Sequence, residues 1–189
     1  MKSRTILAAL LSAVLCTLGA SQEETSTQDI LDEMARQDEA RIAGLPKDVQ
    51  SLAGVKGVYV LLEYPTADAN ALDLADAPLQ KDIEVKLRLA GVDVITAEEN
   101  LLSEDGACLR VNISTVGGGK LIAYNVLVRF EQDVYLARSP NRFYVGAPTW
   151  RRETFGAGSL AEVAEAIQIA LQNGIEDFLT DYITANARR

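Results

Sequence analysis

The sequence predicts a two-layer α/β sandwich: a mixed four- to five-stranded sheet with two helices on one face, in the order β-α-β-β-β-(β)-α. Three observations carry this. "GVYVLLEY" (Gly57 to Tyr64) is a near-continuous apolar run, as a strand covered on both faces requires. "PLQKDIEVKLRLAGVDVI" then changes period from helix to strand across Gly91, completing a strand–helix–strand unit expected to be parallel and right-handed. Last, Leu160, Val163, Ile167, Leu171, Ile175, Phe178 and Tyr182 step by three or four along a long terminal helix. Two helices and a mixed sheet pack as two layers around one core.

The chain of 189 residues, 48% of them apolar, suits one domain of ordinary size plus tails. Residues 1–20 read as a secretory signal peptide. Lys2 and Arg4 open it, Ile6 to Leu18 form an apolar run of 13, and Gly19, Ala20 and Ser21 are small. A membrane-spanning helix wants about 20 apolar residues, so the run is short for an anchor. Cys16 raises lipidation, but Leu15 stands where a lipoprotein signal wants a small residue. Residues 21–50 are polar and acidic, with Ile30, Leu31, Met34 and Ile42 as the few large apolar groups. They read as a flexible tether containing a weak helix; a docked amphipathic helix is the competing reading. Residues 51–189 form the single α/β domain.

Within that domain, "PTADANALDLADAP" is a loop, and Pro78 suits the first turn of a helix in which Leu79, Ile83, Leu87 and Ala90 share a face, with Val85 and Leu89 beside it. Gly91 fits a left-handed helix cap and "VDVI" is the next strand. "TAEENLLSEDG" is an acidic loop with room for one helical turn. "ACLRVNIST" alternates, with Leu109, Val111 and Ile113 on one side and Cys108, Arg110, Asn112 and Ser114 on the other. "VGGGK" turns the chain into the long strand "LIAYNVLVRFEQDVYLA", whose register predicts a bulge near Gln132. "RSPN" turns again, "RFYVGAPTW" returns, and Pro148 assigns it to a sheet edge. Ser159 and Glu162 have capping-box spacing, and Gly174 marks close packing or a bend in the last helix.

This order resembles small periplasmic domains such as the amino-terminal domain of TolB-type translocation proteins and LptE-like assembly lipoproteins. "GVYVLLEY", "DIEVKLRLAGVDV", "RFEQDVYLAR" and "APTW" look more closely like a group of uncharacterised exported bacterial proteins. The likeness covers most of Leu52 to Asn186. Its motifs are packing motifs, so it implies a fold and a periplasmic or extracellular location and brings no catalytic residue.

Composition removes whole chemistries. There is no histidine, which excludes Ser-His-Asp and Cys-His catalysis and imidazole zinc sites. Once the signal is gone Cys108 is the only cysteine, so no internal disulfide or thiolate cluster forms. Acid–base work would fall to carboxylates, Lys or Tyr. The charge is −9, and −11 without Lys2 and Arg4 (27 acids against 16 bases), the opposite of a nucleic-acid footprint. "LAGVDV" is no dinucleotide fingerprint, because Gly91 closes a helix where the fingerprint opens one. "VGGGK" joins two strands with no helix after it.

The remaining acids and modification sites are weak. Asp68, Asp73 and Asp76 share a loop without calcium-loop spacing. Glu98, Glu99, Glu104 and Asp105 form a second cluster, whereas a paired-carboxylate hydrolase needs two acids fixed ~5–9.5 Å apart. The sequon Asn112-Ile113-Ser114 falls mid-strand, and Cys108 reads as an inert, half-buried thiol.

One feature stands out. Arg138, Arg142, Arg151 and Arg152 are interleaved with Phe143, Tyr144 and Trp150 in an otherwise acidic protein. Arginine and aromatics concentrate where binding energy does; the competing reading is a solvated edge hairpin with its aromatics in the core. The sequence therefore predicts a non-catalytic exported binding or assembly domain with no cofactor and no metal. Its expected partner is a protein or an anionic envelope component, or a second copy, without nucleic acid and without a membrane span after signal cleavage. The alternatives are a small-molecule or anion-binding sensor and, third, a carboxylate-dependent hydrolase. The face opposite the helices, bearing Arg110, Asn112, Ser114, Ala123, Asn125, Leu127 and Arg129, is the expected docking surface.

Overall fold

The computed structural model describes residues 27–64, 76–103, 107–118 and 121–187. The signal segment, Asp68, Asp73, Glu104, Asp105 and the glycine turn at 119–120 lie outside them. The chain divides into two units, 1–41 and 42–189. The described part of the first is helix α1 (Thr27–Ala43), which ends two residues into the second and buries none of its side chains. Its visible supports are local: Gln28 donates to Asp32 at 2.8 Å, and Arg41 pairs with Asp38 at 2.8 Å. Such pairs contribute about 0.2–0.5 kcal/mol each.

The second unit begins earlier than residue 51. Helix α2 (Lys47–Gln50) starts after Pro46 and buries Val49, and Leu45 also packs on the core. Polarity hid this stretch. Local hydrogen bonds shape it, Gln50 Nε2 to the Leu45 carbonyl at 2.7 Å and Ser51 Oγ to the Asp48 carbonyl at 2.6 Å, while Leu45 and Val49 pack on the core.

Strand β1 (Gly57–Glu63), helix α3 (Asp76–Leu89) and strand β2 (Asp93–Ile95) form the anticipated unit, with β1 and β2 parallel. Gly91 closes α3 at φ 81°, a conformation costly for any residue with a Cβ. The acidic loop holds a helix, α4 (Ala97–Leu102), capped by Thr96 and Glu99 in a reciprocal box. Strands β3 (Cys108–Gly118), β4 (Leu121–Leu136) and β5 (Ser139–Gly158) complete a sheet of order β2-β1-β3-β4-β5. β3 is parallel to β1, and β4 and β5 follow as antiparallel hairpins. The last helix, α5 (Leu160–Asn186), opens on the Ser159–Glu162 box, whose bonds hold the Glu162 carboxyl below the usual range.

One face of this sheet is the core. Val58, Val60, Leu109, Val111, Ile113, Val126, Val128, Phe130 and Trp150 pack with Ile83 and Leu87 of α3 and with the buried stripe of α5. The two helices thus cover one face, as the sequence predicts. Gly174 sits where α5 crosses β4: a Cβ there would lie 2.8 Å from Val128 Cγ2. It marks close packing between the two layers. Phe178 stands at the centre, with ring centroids of Trp150 at 5.3 Å, Phe130 at 5.6 Å and Tyr182 at 6.0 Å.

Two further sequence readings need correction. β5 does not stop at Trp150 but runs on through "RRETFGAG" to Gly158, paired with β4 as far as Ile122. Glycines masked the strand. Gly156 makes room for Tyr124: a Cβ there would fall 2.8 Å from the Tyr124 ring, which would have to shift. The β4–β5 turn is also tighter than "RSPN": Leu136 pairs with Ser139, leaving only Ala137 and Arg138 between strands. The bulge foreseen near Gln132 lies there, with register shifts on both sides of Glu131 and Gln132. Gln132 Nε2 fastens it to the Ser51 carbonyl and to Thr149 Oγ1, both at 2.9 Å, and Asp133 accepts from the Gly146 N–H at 2.9 Å.

Candidate functional site

Alternation places the odd-numbered residues of β1, of the first ten residues of β4 and of β5 from Arg151 onward, and the even-numbered residues of β3, on the open face. Register then sets them in rows. Leu61, Arg110, Arg129 and Arg151 lie abreast on β1, β3, β4 and β5. Glu63, Asn112, Leu127 and Glu153 form the next row, and Ser114, Asn125 and Phe155 the one after. Like charges directly opposite each other disfavour a sheet. Three neighbouring arginines therefore need compensation, and carboxylates supply it. Glu131, itself buried, holds Arg110 Nε at 2.9 Å and Arg129 Nε at 2.7 Å, and Glu63 pairs with the other end of Arg110. Partial burial works against the Arg110 charge, but the Glu131 hydrogen bond and the two carboxylates outweigh it and raise its pKa.

Arg151 differs. It is exposed and makes no ion pair with a described residue. Beyond it Phe155 is 82% exposed, and Val116 and Leu121 are exposed at the same end of the sheet. Asn125 and Glu153 are joined at 2.8 Å between them. The face thus presents fixed guanidinium groups, one free one and an apolar margin.

The seven residues of the arginine–aromatic cluster do not come together. Trp150 is buried against Phe178, and its indole N–H donates to Asp181 at 2.9 Å. Arg152 lies on the helix side. It stacks 4.8 Å over Trp150, pairs with Asp181 at 2.8 Å and reaches Asp48 at 3.3 Å, tying β5 to α5 and α2. These two belong to the fold. Arg151 faces the open side, and Arg138, Arg142, Phe143 and Tyr144 sit at the end of the hairpin. Sequence reasoning missed Phe155, Glu63 and Glu131. The signal was there for Phe155, since Arg151, Glu153, Phe155 and Ala157 alternate, but it depended on reading β5 through its glycines. Glu63 and Glu131 meet Arg110 only through strand pairing.

Cys108 is buried, more deeply than the half-burial its strand position suggests. Burial pushes its thiol up to about 11 against the lowering influence of Arg110. At pH 8 about one molecule in a thousand then carries a thiolate. Cys108 in the native protein should label far more slowly with a thiol reagent than in the urea-unfolded chain, as mass spectrometry of the peptide that carries it would show. Equal rates would mean an accessible thiol.

Fold and face together define a two-layer α/β sandwich whose helices α3 and α5 lie on one sheet face, with the row of Arg110, Arg129 and Arg151 on the other. Compared with known proteins, the chain matches no family model and no curated protein.

Proposed function

We propose that this is a non-catalytic binding or assembly domain of an exported protein, and that its partner docks on the open sheet face. The carrying observation is the row Arg110–Arg129–Arg151, held partly in place by Glu131 and Glu63 and edged by exposed Phe155. Groups fixed before binding lose little freedom when a partner arrives. A mixture of arginine, aromatic and amide side chains suits an interface that forms and dissolves. The partner is an anionic protein or envelope polymer. The signal-like start of the sequence, with the likeness to exported bacterial domains, supports the location.

The test is capture from envelope extracts by the wild type and by Arg151→Ala/Phe155→Ala. The double variant should keep its melting temperature, since exposed charges contribute little to stability, and lose the captured species. Added salt should weaken capture, because exposed attraction is screened within about 10 Å at 0.1 M. Unchanged capture by the double variant would overturn the assignment to this face. A dominant thermal stabilisation by one small anion would favour a sensor instead.

A further inference from the structure

A second surface lies away from the open face. β3 ends its pairing with β4 at Cys108–Glu131, so beyond the bulge at Glu131 and Gln132 the strands β4 and β5 continue as a two-stranded ribbon to which no other strand of the described residues is paired. From the bulge to the Ala137–Arg138 turn it spans about five residues, roughly 16 Å. Isolated ribbons are marginal, and ordinary ones expose polar side chains. This one exposes Tyr135 (68%), Phe143 (47%), Tyr144 (58%) and Val145 (75%). Both of its sides are apolar. Tyr135 and Phe143 pair across the strands with rings 5.2 Å apart, while Val134 and Tyr144 pair on the opposite side. Residues 134–146 contain no acid at all, in a chain of net charge −9, and Arg138 and Arg142 are exposed there. The nearest acid along β4, Asp133, accepts a hydrogen bond from the Gly146 N–H.

We propose that this tip seats in the headgroup region of an anionic lipid bilayer. A protein partner lying flat would cover one side of the ribbon; a bilayer interface surrounds both. Tyrosine suits that depth, its ring in the apolar boundary and its hydroxyl in water. Arginine stems lie along the same boundary while the guanidinium groups reach lipid phosphates. Residues 134–146 carry two positive charges and no negative one, and Asp133 at the base of the tip is engaged by the Gly146 N–H, so the tip itself offers positive charge to an anionic surface. Apolar insertion and charge act as two weak signals that hold only together, which makes the contact reversible.

The test uses the full chain, with its amino-terminal apolar run present in every sample, and a Tyr144→Trp reporter. Trp150 is the only native tryptophan and is buried, so a change in emission reports the tip. Vesicles of phosphatidylglycerol and phosphatidylcholine should shift the reporter to the blue, and lipids brominated high on the acyl chain should quench it. Vesicles of phosphatidylcholine alone should do much less. Adding Arg138→Gln and Arg142→Gln should weaken partitioning roughly 20- to 30-fold. The open-face variant Arg151→Ala/Phe155→Ala should keep the shift, which separates this inference from the proposed function. No shift with either vesicle, an equal shift with both, or loss of the shift in the open-face variant would overturn it. So would a shift caused only by lipid-free envelope protein, which would make the tip a protein-docking finger.

Discussion

Phe178→Ala should lower the unfolding free energy by about 3–5 kcal/mol. The residue is fully buried and touches three other rings: Phe130 and Trp150 from the sheet, and Tyr182 one turn along its own helix. Truncation removes its transfer free energy and leaves a cavity at the seam between the layers. That seam cannot close readily, because Gly174 already brings α5 onto Val128. Domains of this size are stable by about 5–15 kcal/mol in all, so the variant should be marginal, with a melting temperature roughly 6–20 °C lower. Circular dichroism during urea and thermal unfolding measures it. A loss below about 1 kcal/mol would mean that the two layers pack loosely.

Trp150→Ala should cost about as much, roughly 3–5 kcal/mol, whereas Arg142→Ala should stay within about 0.5 kcal/mol. The contrast follows from placement. Trp150 packs edge-on against Phe178, donates to Asp181 and supports the stacked Arg152; its removal leaves Asp181 without that donor and Arg152 without its ring. Arg142 is exposed at the hairpin end. Because Trp150 and Phe178 touch, the double variant should depart from additivity by about 0.5–3 kcal/mol. The Trp150 variant loses the only intrinsic tryptophan signal, so circular dichroism is again the probe. If Trp150→Ala left stability intact while reducing capture, Trp150 would be a partner anchor and not core.

Periodicity made the fold class legible. Leu109, Val111 and Ile113 announce one buried face of β3, and Val163 to Tyr182 announce the stripe of α5, because burial imposes periods of two and about 3.6 on any chain that folds. The cap at Gly91, the Ser159–Glu162 box and the bulge near Gln132 are local chemistry and were equally readable. The failures came where local pattern is weak. Val49 lies in a polar stretch, and β5 beyond Trp150 is diluted by Gly156 and Gly158, whose small size serves packing against Tyr124 and α5.

The candidate sites divide along the same line. The sequence by itself determined that Arg138, Arg142, Arg151 and Arg152 crowd an acid-poor stretch with Phe143, Tyr144 and Trp150, and that histidine chemistry is absent. Only the tertiary structure separated them. Adjacent strand residues point to opposite faces, so Arg151 meets the open side while Arg152 meets α5 and α2. The row of Arg110, Arg129 and Arg151, and the carboxylates of Glu63 and Glu131 that hold part of it, are far apart in the chain. Strand register alone brings them together, and no one-dimensional period records a register.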